Sequence, residues 1–305
     1  MIKLLIISDD FTGALDTGVK FSAAGARTRV STDTQIDFRQ EIAEEVLVLC
    51  APTRHLPPRE AYDMIRSIAQ RAVAAHIGCV YKKTDSALRG NIGAELSAVL
   101  DGSGEKCLSF IPALPGMNRI TVDGVHYIDG VPVDQSVFGQ DPFEPVTESR
   151  VPDLLHLQCD VPVKVISPEE LDSFRPGEEK CIYLFDCASR EDMEREAQRL
   201  YLLGCLKLLA GCAGLAESLP GYLGLRMGEK PQCRIEANRL VVLCGSVNPI
   251  SCNQMDYGEQ RGYRRVHIPA DRLLSGGKFN TGSDAMMMDY LWTLYCQTPY
   301  LMIDS

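Results

Sequence analysis

The chain has 305 residues, 45% hydrophobic and 24% charged, with 41 acidic against 31 basic side chains and a net charge of −10. That length suggests two domains with room for sizeable cores, and the composition excludes disordered and collagen-like chains. The acidic balance argues against non-specific nucleic-acid binding, which needs a basic surface.

At the start, the apolar run that begins at Leu4 is cut off by Ser8, Asp9 and Asp10, too short for a signal-peptide core or a membrane span. The expectation is a cytoplasmic protein without a membrane partner. Twelve cysteines are scattered through apolar runs such as those ending at Cys50 and Cys244. With no CxxC spacing, they read as small, reduced, mostly buried residues rather than a disulfide set or a zinc ribbon.

In chain order, Ile2 to Ser8 reads as a buried parallel strand and Phe11 to Ala24 as a helix stopped by Gly25. Val46 to Cys50 is a second strand. A helix follows over Ala61 to Ala74, with Tyr62, Ile65, Ile68, Ala69 and Ala72 on one face. Cys79 to Tyr81, a helix from about Asn91 to Leu100, and Leu108 to Ile111 continue the alternation. Asp129-Gly130 between Val125–Ile128 and Val131–Val133 marks a β-hairpin. A long loop then passes Pro142 and Pro145. Val163–Ile166, Ile182–Phe185 and Leu206–Ala210 are further strands, with a helix over Arg190–Leu203.

The stretch 224–238 is polar, contains Gly and Pro, and reads as a linker. Beyond it, Arg239–Cys244 opens a tail of three strands and two helices that ends on a strand at Leu301–Ile303. The expected fold is α/β: an open, mostly parallel sheet with crossover helices and a β-hairpin insertion, plus a second, truncated α/β domain. The expected domains are 1–228 and 238–305.

In open α/β sheets, ligands sit beyond the carboxyl ends of the strands. That rule selects Ser8–Gly13, Lys82–Asn91 and Pro112–Arg119. In the first, Asp9 and Asp10 precede Phe11, Thr12 and Gly13. One Asp is explained as a helix cap; the second is free to accept substrate hydroxyls or to act as a base. In the second, Lys82, Lys83, Asp85 and Arg89 form a charged knot. It is either a solvated loop or a grip on a polyhydroxy acid, with Arg and Lys on its carboxylate and Asp85 on a hydroxyl. Asn118 and Arg119 close the third.

Two small-residue turns lead from strand to helix: Gly211-Cys212-Ala213-Gly214 and Gly245-Ser246-Val247-Asn248. Such turns allow close approach of a phosphate to backbone N–H groups, or else merely pack strand on helix. Neither is a P-loop or a GxGxxG fingerprint. His55, His76, His126, His156 and His267 show no metal-like spacing, so no metal ligands are assigned. His126 reads as solvated or packed.

Together the strings IISDDFTGALDTGVKFSAAG (6–25), TRHLPPREAY (53–62), YKKTDSALRGNIGAEL (81–96), PALPGMNRITVDGVHYIDGVPV (112–133), FGQDPFEPVTESRVPDLL (138–155), LAGCAGLAESL (209–219) and LVVLCGSVNP (240–249) resemble the four-carbon acid sugar kinase family. The resemblance implies an N-terminal domain that binds the sugar acid and a C-terminal domain that binds ATP. It also implies phosphorylation of the terminal hydroxyl of acids such as threonate, erythronate or their 3-oxo forms.

By that resemblance, Asp9, Asp10, Lys82, Asp85 and Arg89 would hold substrate; Thr12, Lys83, Asn118 and Arg119 in the same strand-end loops are read as further substrate ligands, with Asp10 or Asp85 as the base. The resemblance places Gly245 and Ser246 at the nucleotide; Gly211, Ala213, Gly214 and Asn248 of the two small-residue turns are read with them as holding ATP, with Mg²⁺. A small sugar acid is the expected partner, and a homodimer is left open. Cys212 stands where the family's turn usually carries Ser. The family's Gly-Gly-Asp/Glu-Thr motif is not found, so the chain reads as ending roughly a hundred residues early for a complete nucleotide domain. A non-catalytic sugar-acid-binding protein is the alternative. A lyase or isomerase using the glycine turns for a phosphorylated metabolite is a further one.

Overall fold

The computed structural model describes residues 2–40, 42–141, 143–229, 237–246, 248–269 and 282–305. The chain divides into two compact units, Met1–Pro231 and Gln232–Ser305.

The first unit is built on eight parallel strands in the order β2-β3-β1-β4-β11-β5-β10-β9. They are β1 Leu4–Ser8, β2 Thr28–Ser31, β3 Val46–Cys50, β4 Cys79–Lys83, β5 Cys107–Ile111, β9 Val163–Ile166, β10 Cys181–Phe185 and β11 Leu208–Gly211. Every residue of β1, β3 and β10 is buried because successive side chains enter opposite layers. Leu5, Ile7, Leu47, Leu49 and Val80 pack with Ile65, Ile68, Leu96 and Val99, which belong to helices α2 (Pro58–Ala74) and α3 (Ile92–Ser103). Leu4, Ile6, Val46, Val48 and Tyr81 pack with Ala14, Phe21, Ala197 and Leu215 from the other face. The helices there are α1 (Phe11–Ala23), α5 (Arg190–Leu202) and α6 (Ala213–Ser218). The short α4 (Val151–His156) packs on α3.

A three-stranded antiparallel sheet, β6 (Arg119–Val122), β7 (Val125–Ile128) and β8 (Val131–Pro132), is inserted between β5 and α4. The hairpin at Asp129-Gly130 forms as expected, with both residues at positive φ (51° and 79°). The sequence reading missed β6. Asp123-Gly124 carries the same turn signal, and both residues again have positive φ (52° and 73°). It also missed the edge strand β2, whose residues alternate little in hydrophobicity.

The first residues of the stretch read as a linker pack against the first unit. Leu225 is buried, Arg226 N donates to Glu45 Oε2 (2.6 Å), and Gly228 N donates to Gly25 O (2.9 Å), so 224–228 are docked on the first unit. Residues 230–236 lie outside the described ones.

The described part of the second unit is a parallel sheet in the order β12-β14-β13 with helices α7 (Pro249–Gln260) and α8 (Gly282–Gln297). Its strands are β12 Leu240–Cys244, β13 Arg264–His267 and β14 Tyr300–Asp304. Among the described residues no helix is long and apolar enough to cross a membrane.

Candidate active site at the carboxyl ends of the central strands

The chain leaves β1 toward one side of the sheet and β4 toward the other, so the loops after these neighbouring strands diverge, the arrangement at which open α/β sheets take their ligands. Asp9 and Asp10 stand after β1. Asp10 caps α1, its Oδ1 accepting from Gly13 N at 2.9 Å. The cap engages Oδ1 of Asp10, and the role of Asp9 lies elsewhere. Asp9 is buried, with its Oδ2 on Arg54 Nε at 2.7 Å and its Oδ1 accepting no hydrogen bond.

Arg54 is the centre of the group. Its Nη2 lies 3.3 Å from Asp10 Oδ1 and 3.6 Å from Asp85 Oδ1. Burial opposes the guanidinium charge, but Asp9, Asp85 and Asp10 outweigh it and raise its pKa. Sequence reasoning missed Arg54 as a site residue. Applying the strand-end rule to Val46–Cys50, as to the other strands, selects Ala51–His55.

The loop carrying Arg54 is fixed from behind. Asn91 Nδ2 donates to the carbonyls of Thr53 (2.9 Å) and Leu56 (2.8 Å), and the Thr53 hydroxyl donates to Glu95 Oε1.

The charged knot after β4 is split by strand alternation. Lys82 points to the α3 face with Val80. It is fully buried, and its Nζ sits 2.9 Å from Glu95 Oε2 and 2.7 Å from its own neighbour's carbonyl, Lys83 O. Burial pushes the Glu95 carboxyl up against the pull of Lys82. Lys82 is thus part of the interior beneath the site, which corrects its assignment as a substrate ligand. Lys83 points to the α1 face, where a Cβ on Gly13 would stand 2.8 Å from its Nζ and 2.5 Å from Asp10 Oδ1. Glycine at position 13 is what lets these two groups close on the start of α1.

Asp85 holds Arg89 with two bonds, from Nε (2.8 Å) and Nη2 (3.2 Å). Burial alone would raise the Asp85 carboxyl. Arg89, Arg54 and Lys83 outweigh it and hold it at about 2. Arg89 also reaches Asp141 Oδ2 at 3.3 Å. Its fork is therefore filled by carboxylates of the chain itself. Phe138 lies under both Arg89 and Arg119, each 5.1 Å from the ring centroid. Arg119 Nη1 donates to the Ser86 hydroxyl.

His126 is packed, not solvated: its Nε2–H donates to Ser86 O (3.0 Å), so Nδ1 accepts from Thr121 Oγ1 (3.0 Å). Burial lowers its pKa to about 4.

Two predicted ligands are not brought into this group. Asn118 is exposed in the left-handed region and its amide goes to Asp129 Oδ1. Thr12 is exposed on the first turn of α1.

The first small-residue turn belongs to packing. A Cβ on Gly211 would lie 2.4 Å from Ile111 O, and one on Gly214 2.5 Å from Ala113 O. Ala213 is buried with them, and Cys212 Sγ donates to Ala113 O at 3.1 Å. These residues do not fit a nucleotide, which corrects their assignment. The second turn is open. Gly245 has no atom within 4 Å of a Cβ position, Ser246 is exposed, and Asn248 caps α7 through Ile250 N (2.9 Å). Val247 lies outside the described residues.

Among the described residues no group of three or more His, Cys, Asp or Glu is arranged to hold a metal ion. Between Asp9, Asp10 and Asp85 the cation is Arg54 itself, so the strand-end site does not fit a resident Mg²⁺.

The sugar-binding N-terminal domain family matches residues 4–219. A D-threonate kinase of Salmonella typhimurium is 30% identical over 284 residues, covering 90% of this chain and 65% of that protein. A D-erythronate kinase of Heliobacterium modesticaldum is 28% identical, covering 84% and 60%. A 3-oxo-tetronate kinase of Escherichia coli is 28% identical, covering 87% and 70%. The chain thus spans less than two thirds of the first two.

A solved structure from Salmonella typhimurium LT2, carrying a tRNA synthase name, matches with a TM-score of 0.81 at 22% identity, over 100% of this chain and 74% of that one. A Bordetella bronchiseptica domain of unknown function, solved with bound citrate as a domain-swapped dimer, matches with a TM-score of 0.64 at 25% identity, over 99% and 74%. The chain belongs to the four-carbon acid sugar kinase family, with residues 4–219 as its sugar-binding N-terminal domain.

Proposed function

We propose that the protein is a kinase for a four-carbon sugar acid of the threonate, erythronate or 3-oxo-tetronate type, and that the crevice between the ends of β1 and β4 holds the acid. The observation that carries this reading is Arg54 held among Asp9, Asp10 and Asp85 from two adjacent strand ends. Such an array offers carboxylates to hydroxyl groups and cations to an anion within one small volume.

Asp10 is the base. Its side chain is 28% exposed, against 2% for Asp9 and 10% for Asp85. A carboxyl held at about 2, as Asp85 is, has little affinity for a hydroxyl proton and serves to fix the arginines. ATP supplies the transferable phosphoryl group, and Gly245, Ser246 and Asn248 are the residues that would hold its phosphates. Phosphoryl transfer rests mainly on positioning and charge stabilisation, the work these side chains are arranged to do.

The citrate and the domain-swapped dimer of the Bordetella neighbour support a small hydroxylated acid as ligand and self-association as an oligomeric form. A cytoplasmic setting fits a metabolic kinase.

The test is turnover: purified protein, ATP, Mg²⁺ and a panel of C4 sugar acids, with ADP as the readout. ADP formation dependent on one acid is expected. A second reading, a sugar-acid-binding protein without catalysis, draws on the placement of every acid-recognising group in the first unit. Thermal stabilisation by an acid, with none by ATP and no turnover, would establish it. Absence of stabilisation by any acid overturns both.

A further inference from the structure

Five cations stand at or beneath the crevice, and the structure divides them. Arg54 is bound to Asp9 and Asp10, Arg89 to Asp85 and Asp141, and Lys82 to Glu95. Lys83 and Arg119 make no ion pair among the described residues. Lys83 is 4% exposed, and its Nζ donates to a neutral acceptor, Thr84 O, at 2.6 Å. Arg119 is half-buried and spends one N–H on the Ser86 hydroxyl and its flat face on Phe138.

Buried Lys83 has no carboxylate in ion-pair contact, only the longer-range charge of Asp85, and an anion placed against it recovers part of the cost of its burial. Both charges also act on one buried atom. Burial pushes the Cys212 thiol up, and Lys83 and Arg119 together pull it down. Lys83 pairs with Gly211 at the end of β11, and Arg119 bridges Leu114 just after β5, so both arise at the adjoining ends of β4, β11 and β5. Asp85 follows Lys83 by two residues and stands 3.6 Å from Arg54 Nη2.

We infer that Lys83 and Arg119, not Arg89, form the seat for the carboxylate of the substrate, and that Asp9 and Asp10 take its hydroxyls. The inference deepens the proposed sugar-acid site and rests on it. The division follows the donor and acceptor inventory. Guanidinium and ammonium groups have only donors, which suit a carboxylate. Asp9 Oδ1, buried and accepting nothing from the chain, suits a hydroxyl proton. Arg89 has no fork left to offer, because its paired N–H groups already hold Asp85. Lys83 and Arg119 are thus the residues that distinguish an acid from the uncharged polyol of the same carbon skeleton.

The experiment is calorimetric titration of the full chain with D-threonate and D-erythronate, and with threitol and erythritol as uncharged counterparts. Arg119→Gln and Lys83→Met are expected to weaken the acid by on the order of 10- to 100-fold, while polyol affinity stays within about threefold. Arg119→Lys is expected to recover part of the acid affinity, which decides the matter even if the polyols bind too weakly to measure. Ligand-free unfolding temperatures confirm that each variant is folded. Unchanged acid binding in Arg119→Gln, or parallel losses for acid and polyol, overturns the inference and leaves the proposed site standing. Failure of the folded wild type to bind any acid overturns the proposed site, and the inference with it.

Discussion

Arg54 holds three carboxylates that would otherwise repel one another in a largely buried crevice. Arg54→Met leaves Asp9, Asp10 and Asp85 without their shared cation, and a loss of about 3–5 kcal/mol is expected in denaturant unfolding. Acid binding should go with it. Arg54→Lys should recover stability only in part, because an ammonium cannot fork to several carboxylates.

The two candidate bases separate in kinetics. Asp10→Asn should lower kcat by roughly 10²- to 10⁴-fold with acid affinity largely kept. Asp85→Asn should weaken acid binding first, through the loosened Arg89 and Arg54. His126 gives a pH signature. In the unfolded chain its imidazole takes a proton near 6.5, in the folded chain only at about 4. Stability from this group is fully present above pH 6.5. It falls by on the order of 3 kcal/mol as pH drops toward 4, because only the unfolded chain binds the proton there. Unfolding temperature measured from pH 4 to 6.5 should slope less steeply in His126→Gln.

Among the elements, the helices at the back of the crevice are held at backbone contact. A Cβ on Gly93, in the first turn of α3, would meet the carbonyl of Leu155 in α4 at 2.3 Å. Gly93→Ala gains roughly 1 kcal/mol in helix propensity, but it forces α4 outward at a cost of about 2–3 kcal/mol. The net expectation is a loss of about 1–2 kcal/mol in unfolding. Acid binding should weaken too, because Asn91, which anchors the Arg54 loop, opens the same helix. The sheet shows how element type and site role part company. Gly211 and Gly214 read in sequence like a phosphate turn, yet β11 is inserted between β4 and β5, and their missing side chains make room for the carbonyls of Ile111 and Ala113.

For the whole molecule, the division at Pro231 predicts independence. The first unit contains both core layers and every acid-facing side chain discussed above. A fragment ending at Glu229 should unfold in one cooperative transition and be stabilised by the same acid as the full chain. Calorimetric scanning of fragment and full chain, with and without acid, checks this. A fragment that fails to fold would show that the second unit completes the first.

Most of the parallel strands and the longer helices were legible because their signals are local. Continuous apolar runs mark strands buried on both faces, 3.6-residue spacing marks α2, and Asp-Gly marks the turns. The carboxylates after β1 and the cations after β4 were legible for the same reason, as polar residues at the ends of apolar runs. Strand order, the partner of each charge and the packed role of the first glycine turn were decided only in three dimensions. Arg54 meets Asp9 across 45 positions of chain, and Arg89 meets Asp141 across 52. Hydrophobic periodicity is written within a dozen residues. The pairing of charges depends on which strand ends the fold sets side by side, and that is why Lys83 and Arg119 stand apart from the other cations only once the chain is folded.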